Sequence, residues 1–421
     1  MSKYLAKLEC SVCSENYTPR TLRNLCPNCN GPLLARYDLD RLGQERDKRD
    51  SVRGEATIWR YFDLLPVDSR EAVVSLGEGW TPLLPINRAG KSIGLPNLWL
   101  KDEGRNPTGT FKDRGASVAI SRARELGVSA FTLGSSGNAG SAWAAYAARA
   151  GVALHLAVLQ KSPELVKAQS YLHGTYLYVV EGFIREACAM MSLAAQRCGW
   201  FDVSTLCEPY RVEGKKTMGL EIAEQMGWQV PDAILYPAGG GVGLIGIWKA
   251  MEELGKLGWI GPKRPKMVAV QSEACAPIVR AFQEDRDECE PWEDVRPTIS
   301  ILRAAKPLGD RLALRVLRES SGTAIAVSDE EMLWGMEVLG TQEGVLACPE
   351  GAATLAAARR LRSSGFLTPH HRVVLLNTGT ALKRMELIKP ELSALDPMAA
   401  IGSLQAERLV PRSIPDANGG S

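Results

Sequence analysis

From residue 71 onward, short apolar runs alternate with helical stretches, and most of the runs end in a loop rich in Gly, Ser, Asn or Thr. No other feature constrains the chain as strongly. "NLWLKD" (97–102), "SAFTLGSSGN" (129–138), "ALHLAVLQ", "TYLYVVEG", "DAILYPAGGGVG", "KMVAVQSE" and "RVVLLNTGT" read as strands, several running directly into such loops. Between them, "DRGASVAISRARELG", "AGSAWAAYAARAG", "PELVKAQSYLH" and "LIGIWKAMEELGKLG" read as helices, with apolar residues at three- and four-residue steps. Repeated strand–loop–helix units predict a doubly wound α/β architecture. With 421 residues the chain is long enough for two or three domains with full cores. It carries no internal repeat and no low-complexity block.

Charge narrows the function classes. The 50 basic and 48 acidic residues leave a formal charge of +2, so electrostatics makes no case for nucleic acid or an acidic membrane surface. No apolar run is long enough to cross a bilayer. The start, "MSKYLAKLECSVC", lacks the apolar core of a secretory signal and the Arg/Ser bias of a transit peptide. The ten cysteines comprise two C-x-x-C pairs and six irregularly spaced singles, which predicts a reducing, cytoplasmic setting.

The two pairs are Cys10/Cys13 and Cys26/Cys29. Each spans one turn, so both thiolates of a pair can face one ion, and four thiolates meet the tetrahedral preference of Zn²⁺. Redox pairs, or a ribbon without metal, are the plainer alternatives. Residues 1–37 are therefore expected to form a zinc-ribbon-like module with a structural ion. The charged stretch over 38–70 reads as linker and arm with some helix, and 391–421 as a loosely ordered tail.

"NPTGTFKDRG" (106–115) places one lysine, Lys112, in a glycine-bracketed loop beside Phe111 and at the mouth of a predicted helix. Burial and the positive helix end both disfavour its ammonium form. A neutral lysine amine is a nucleophile and a natural Schiff-base partner for an aldehyde. "GGGVG" (239–243) ends a strand and opens a helix, so bare backbone can wrap a phosphate more closely than a simple turn requires. "SSGNAGS" (135–141) can hold a carboxylate through Ser135 and Ser136 and a ring hydroxyl through Asn138, but taken alone it reads as an N-cap. "NTGTALK" (377–383) can offer the Thr378 hydroxyl to a ring nitrogen, and alone it reads as a strand-end turn. None of the four histidines suggests catalysis: His155 falls in a strand and His370–His371 in a polar turn. Proton transfer therefore falls to Lys112.

Together these loops resemble the fold-type II pyridoxal 5′-phosphate (PLP) enzymes, and most closely the threonine synthase family, over roughly residues 75–390. "LGEGWTPL" is similar to the family's N-terminal signature, and "NPTGTFKDRG" to its cofactor-lysine segment; some members also carry a preceding cysteine ribbon. The resemblance implies two doubly wound parallel-sheet domains with the cofactor between them: a large domain begun within 38–95 and completed by 206–390, and a small mobile domain over 96–205. It implies that Lys112 carries PLP as a Schiff base, with Phe111 in the same pocket. Asn138 would touch the ring oxygen, Gly239, Gly240, Gly241, Val242 and Gly243 would cradle the cofactor phosphate, and Thr378 would meet the pyridine nitrogen. Ser135, Ser136, Gly137 and Ala139 would hold the substrate carboxylate. A neutral hydroxyl at the ring nitrogen leaves a weaker electron sink, which suits elimination and replacement more than transamination.

"EPYRVEGKKT" (208–217) is also similar to a family stretch, in which Arg211, with Lys215, would grip the substrate phosphate. Without the family context, an ion pair of Arg211 with Glu208 or Glu213 is an even alternative. Three departures stand out: "GGGVG" replaces a Gly-Asn-x-Gly-Asn loop, Ala139 replaces a threonine, and Thr205–Leu206 replace hydroxyl and amide groups before the arginine. The implied reaction is O-phospho-L-homoserine plus water giving L-threonine and phosphate, by γ-elimination and β-addition. A threonine or serine dehydratase, or a β-replacing enzyme similar to cysteate synthase, is the alternative, towards which the glycine loop and Ala139 lean. The resemblance further implies a homodimer acting on a small amino acid.

Overall fold

In the computed structural model, residues 4–390 other than 53, 136, 183, 297 and 389 are described. The expected tail over 391–421 lies outside them. The chain opens with β1 (Leu5–Cys10), β2 (Asn16–Tyr17) and β3 (Leu33–Tyr37), an antiparallel sheet in the order β2-β1-β3. Short helices α1 (Leu39–Glu45) and α2 (Lys48–Ser51) and a 3-10 segment (Ile58–Leu64) make up the arm. Next come β4 (Leu83–Pro85), α3 (Asn87–Ser92), β5 (Leu98–Asp102) and α4 (Lys112–Glu125). The middle of the chain alternates β6 (Ala130–Gly134), α5 (Asn138–Ala150), β7 (Ala153–Leu159), α6 (Glu164–Leu172), β8 (Tyr176–Val180), α7 (Ile184–Cys198) and β9 (Phe201–Asp202). The second half runs α8 (Arg211–Gln225), β10 (Ala233–Pro237), α9 (Val242–Lys256), β11 (Lys266–Ser272), α10 (Pro277–Gln283), α11 (Asp310–Glu319), β12 (Thr323–Val327), α12 (Asp329–Glu343), α13 (Pro349–Ser363) and β13 (Val373–Asn377). Residues through Arg384 group as one unit, and those from Met385 onward as another.

Two parallel sheets carry the fold. One holds four strands, β8-β7-β6-β9, all parallel. The other holds six, β12-β11-β10-β13-β5-β4, parallel except for the edge strand β4. Strands β6, β10 and β13 are buried along their whole length, which explains why they read as unbroken apolar runs: helices cover both faces. No helix among the described residues is long and apolar enough to cross a membrane.

One boundary differs from expectation. The strand at 98–102, grouped with the segment over 96–205, pairs with β13 and β4 in the six-stranded sheet. Its end is tied there by Asn377, whose side-chain amide donates to Asp102 at 2.8 Å. The chain therefore crosses from one sheet to the other after β5, within the loop that carries Lys112.

That strand order aligns the loops. β13, last in sequence, inserts between β10 and β5, with Asn377 level with Asp102 and Leu375 level with Leu235. The loops after β5, β10 and β13 therefore leave the same edge of one sheet, the place where open α/β sheets bind ligands. Beneath them, α8 packs against both α4 and α9. A Cβ on Gly115 would sit 2.7 Å from Arg211 Cγ, and one on Gly214 would overlap the Arg114 carbonyl, so glycine at both positions is what permits this crossing.

Candidate active site

The lysine loop is stitched to the loop after β13. Phe111 N–H donates to the Thr378 carbonyl (3.1 Å) and Thr380 N–H to the Gly109 carbonyl (3.0 Å). Within the loop, Asp113 accepts from the Thr108 amide (2.7 Å) and hydroxyl, closing the turn that starts α4. Lys112 is the first helical residue. Its Nζ lies 4.5 Å from the Phe111 ring centroid and has no hydrogen-bond partner among the described residues. Burial, joined by the Arg211 charge and opposed by Glu350, lowers its pKa to about 8. The amine is thus more readily neutral than an ordinary lysine.

Aromatic contacts carry the site from the lysine to the glycine loop. The Phe111 ring meets Tyr236 of β10 edge-on at 6.1 Å, and the Tyr236 phenol fills the place a side chain on Gly243 would need. Gly241 takes φ +74°, a left-handed conformation, and begins α9 with no side-chain cap. Side chains built on Gly239 and Gly240 would meet Leu302 and Thr205 at ordinary van der Waals distance, 3.5 Å, so neither glycine is demanded by crowding. Uncapped amides at a helix start are able to bind an anion.

The other expected residues fall into place unevenly. Thr378 is buried, with its hydroxyl 3.7 Å from Cys348 Sγ. Ser135 lies at the end of β6 in the other sheet, and its hydroxyl accepts from Gly137 N (3.4 Å) and Gly140 N (3.2 Å), so it serves as a local cap for α5. Ser136 lies outside the described residues. Asn138 and Ala139 open α5, which packs on α4, and no described hydrogen bond joins them to Lys112.

Arg211 opens α8 and is buried. Its guanidinium donates to the Thr205 hydroxyl (3.1 Å) and the Val203 carbonyl, and its Nε lies 3.6 Å from Glu208. The ion pair weighed from the sequence is thus with Glu208. Lys215 donates to the carbonyls of Phe111 (2.6 Å) and Lys112 (3.0 Å), so its amine is spent on the first turn of α4. Burial, then the charges of Lys112 and Arg211, push its pKa well down.

Sequence reasoning passed over Cys348 and Glu350, where α13 begins. Glu350 is buried, accepts from Ile301 N at 2.8 Å and opposes the fall of the Lys112 pKa. The "CPEG" run at a helix start was the available signal.

The "LGEGWTPL" signature proves to be support for the site. Glu78 accepts from Trp59 Nε1 (3.0 Å), Ser117 and Tyr146 (2.7 Å). Thr81 joins a fully buried set in which Arg114 grips Glu103 (2.6 and 2.8 Å) and Glu221 (2.5 and 2.7 Å), and Lys101 adds a further contact to Glu221 (2.6 Å). These charges tie β5, α4 and α8 together two residues from Lys112.

In the N-terminal module, the sulfurs of Cys10, Cys13, Cys26 and Cys29 all lie within 4.8 Å of one another. Cys10–Cys29 is 3.4 Å, Cys13–Cys29 3.5 Å and Cys13–Cys26 3.6 Å. Four thiolates around one zinc at ~2.3 Å would stand about 3.8 Å apart, so the set fits a tetrahedral ion.

Residues 74–379 match the family described as pyridoxal-phosphate dependent enzymes. The processed threonine deaminase isoform 2 of Solanum lycopersicum has the same fold, with a TM-score of 0.62 at 16% identity over 73% of this chain and 86% of that one. Fold and site together define a fold-type II PLP-dependent enzyme. The chain is 33% identical over 375 residues to threonine synthase of Methanocaldococcus jannaschii and 35% identical over 378 residues to that of Methanosarcina acetivorans. Each alignment covers 89% of this chain and 92% of the relative. Within the PLP-dependent enzymes, the chain belongs to the threonine synthase family.

Proposed function

We propose that this enzyme converts O-phospho-L-homoserine and water to L-threonine and phosphate, with PLP on Lys112. One observation carries the reading: a lysine amine with a lowered pKa and no hydrogen-bond partner among the described residues stands at the joined ends of β5, β10 and β13, within the electrostatic reach of Arg211. The residues fit the cofactor, since a helix start with no side-chain cap suits a phosphate and Thr378 is a neutral hydroxyl. PLP, when bound, supplies the electron sink for charge developing on the substrate carbons.

The chain's own residues do the rest. The amides of Gly239, Gly240, Gly241, Val242 and Gly243 bind the cofactor phosphate. Asn138 and Thr378 orient the ring. Ser135, Ser136, Gly137 and Ala139 line the substrate carboxylate. Arg211 takes the substrate phosphate in bidentate fashion, and Lys215 holds the first turn of α4 in register. The Lys112 amine takes protons from Cα and Cβ as the γ-phosphate leaves, and returns protons to Cγ and Cα as water adds at Cβ. Close positioning lowers the cost of each transfer.

The test is a substrate panel. Equal release of phosphate and threonine from O-phospho-L-homoserine is expected. A higher kcat/KM for making an α-keto acid from serine or threonine would instead assign the dehydratase reading, which "GGGVG" and Ala139 favour.

The pH dependence of cofactor capture follows from Lys112. Its neutral fraction grows as pH rises, so the rate of PLP uptake by cofactor-free protein should climb about tenfold per unit below pH about 8 and flatten above it. Stopped-flow absorbance checks this.

We infer further that the four cysteines hold structural Zn²⁺. Elemental analysis should find one zinc per chain, lost in Cys10→Ser. None of the ten cysteines is paired in a disulfide, and we propose the reducing, cytoplasmic setting that the cysteine pattern of the sequence predicts. A homodimer, as the resemblance implies, completes the proposal and is testable by sedimentation.

A further inference from the structure

The cysteine module is not an appendage. Its Asn24 reaches across the chain, and its side-chain amide donates to the backbone carbonyls of Asp202 (2.7 Å) and Cys207 (2.9 Å). Those two carbonyls bracket the segment 203–206, which supplies the Val203 carbonyl and the Thr205 hydroxyl that hold the Arg211 guanidinium. The clamp therefore lies one residue before and two residues after the arginine's seat.

A second set of contacts points the same way. Leu206 takes φ +63°, a left-handed conformation that a branched side chain rarely adopts. Its side chain is buried in a cluster with Leu34 of the module, Val212 of α8, Val242 and Ile245 of α9, and Leu312. The module's Pro19 carbonyl accepts from Arg122 (2.7 Å) and from Tyr210 (3.5 Å), the residue before Arg211. The module thus supports both the strained turn and the start of the helix that follows it.

We infer that the N-terminal module sets the grip on the substrate phosphate: Asn24 is a positioning residue for Arg211, acting through the 203–207 backbone, with Leu34 packing beneath. The inference rests on the reading of Arg211 given above. Physically, one amide fixes two carbonyls, one at the end of β9 and one beyond the turn, and so ties the far side of the segment to the strand before it. Without it the turn at Leu206 can relax, and Val203 and Thr205 no longer stand where the guanidinium needs them.

The experiment uses the full-length holoenzyme and Asn24→Ala, with Asn24→Asp as a variant of equal size lacking the donors. For both, KM for O-phospho-L-homoserine should rise about tenfold while kcat stays within about twofold, the loss expected of two hydrogen bonds felt only in binding. Zinc content and cofactor absorbance should not change. Deuterium uptake by amides 203–211 should rise at least about tenfold, with 233–238 and 373–380 unaffected. Leu34→Ala should show the same local rise.

Unchanged KM with unchanged exchange at 203–211 would overturn the inference. So would a fall in kcat with loss of cofactor, or faster exchange across the whole chain, since either signals general damage. If the unaltered enzyme makes no threonine, the functional reading fails by itself, and the exchange pattern alone then decides whether Asn24 holds the segment.

Discussion

Replacing Lys112 by alanine should abolish threonine formation and remove the visible absorption of the imine-linked cofactor. In the proposed mechanism the amine has two duties, holding the cofactor and moving protons, and no other described group is placed to take over either. His155 lies in the other sheet, stacked on Trp200 at 3.6 Å, and Lys215 is committed to two carbonyls. Turnover should fall by at least about 10³-fold. The variant should nonetheless fold. In the free enzyme burial lowers the Lys112 pKa from 10.5 to about 8, so the folded chain disfavours the ammonium form. That penalty is full below about pH 8 and fades as pH rises towards 10.5, so removing the amine at neutral pH relieves it. A melting temperature for cofactor-free Lys112→Ala at or above that of the cofactor-free parent is expected. An absorbing, active variant would remove Lys112 from the mechanism.

Arg114→Met should cost the most stability of any single change near the site. The guanidinium is fully buried between Glu103 and Glu221, which lie at 2.5–2.8 Å and are themselves fully buried. Removing one partner of such a set leaves carboxylates without compensation, at roughly 3–5 kcal/mol. The melting temperature should drop by roughly 3–6 °C. pH separates this charge effect from a packing defect. Burial alone would raise Glu221, but Arg114 and Lys101 outweigh it and hold the carboxyl at about 2, below its ordinary 4.5. In the parent, the stability this confers is present above pH about 4.5 and is lost as pH falls through about 2. Without Arg114 the carboxylates take up protons at higher pH, so the gap between variant and parent should narrow as pH is lowered from 7 to 5. A gap of constant size would mean lost packing rather than stranded charge.

The elements nearest the chemistry were legible in the sequence because local patterns specify them. Lys112 is the first residue of a helix, the "GGGVG" run opens another, and "NTGT" follows a strand. The four cysteine sulfurs converge as their spacing implies. Less was legible where a residue's role depends on distant partners. Thr81 reads as part of a signature, but its contacts are Glu103 and Arg114. Glu350 affects a lysine more than two hundred positions away and carries no local pattern that says so. Asn24 looks like a polar loop residue until Asp202 and Cys207 are brought against it.

From sequence alone came the residue types able to do the chemistry and the alternation that demands parallel sheets, since unbroken apolar strands must be covered on both faces. The structure alone decided that β13 enters between β10 and β5, that 98–102 joins the larger sheet, and that the cysteine module braces the arginine segment. The physical reason is range. Helix starts, turns and thiolate spacing arise from neighbours along the chain, whereas strand order and buried charge sets arise from pairings far apart in sequence, which local propensity does not encode.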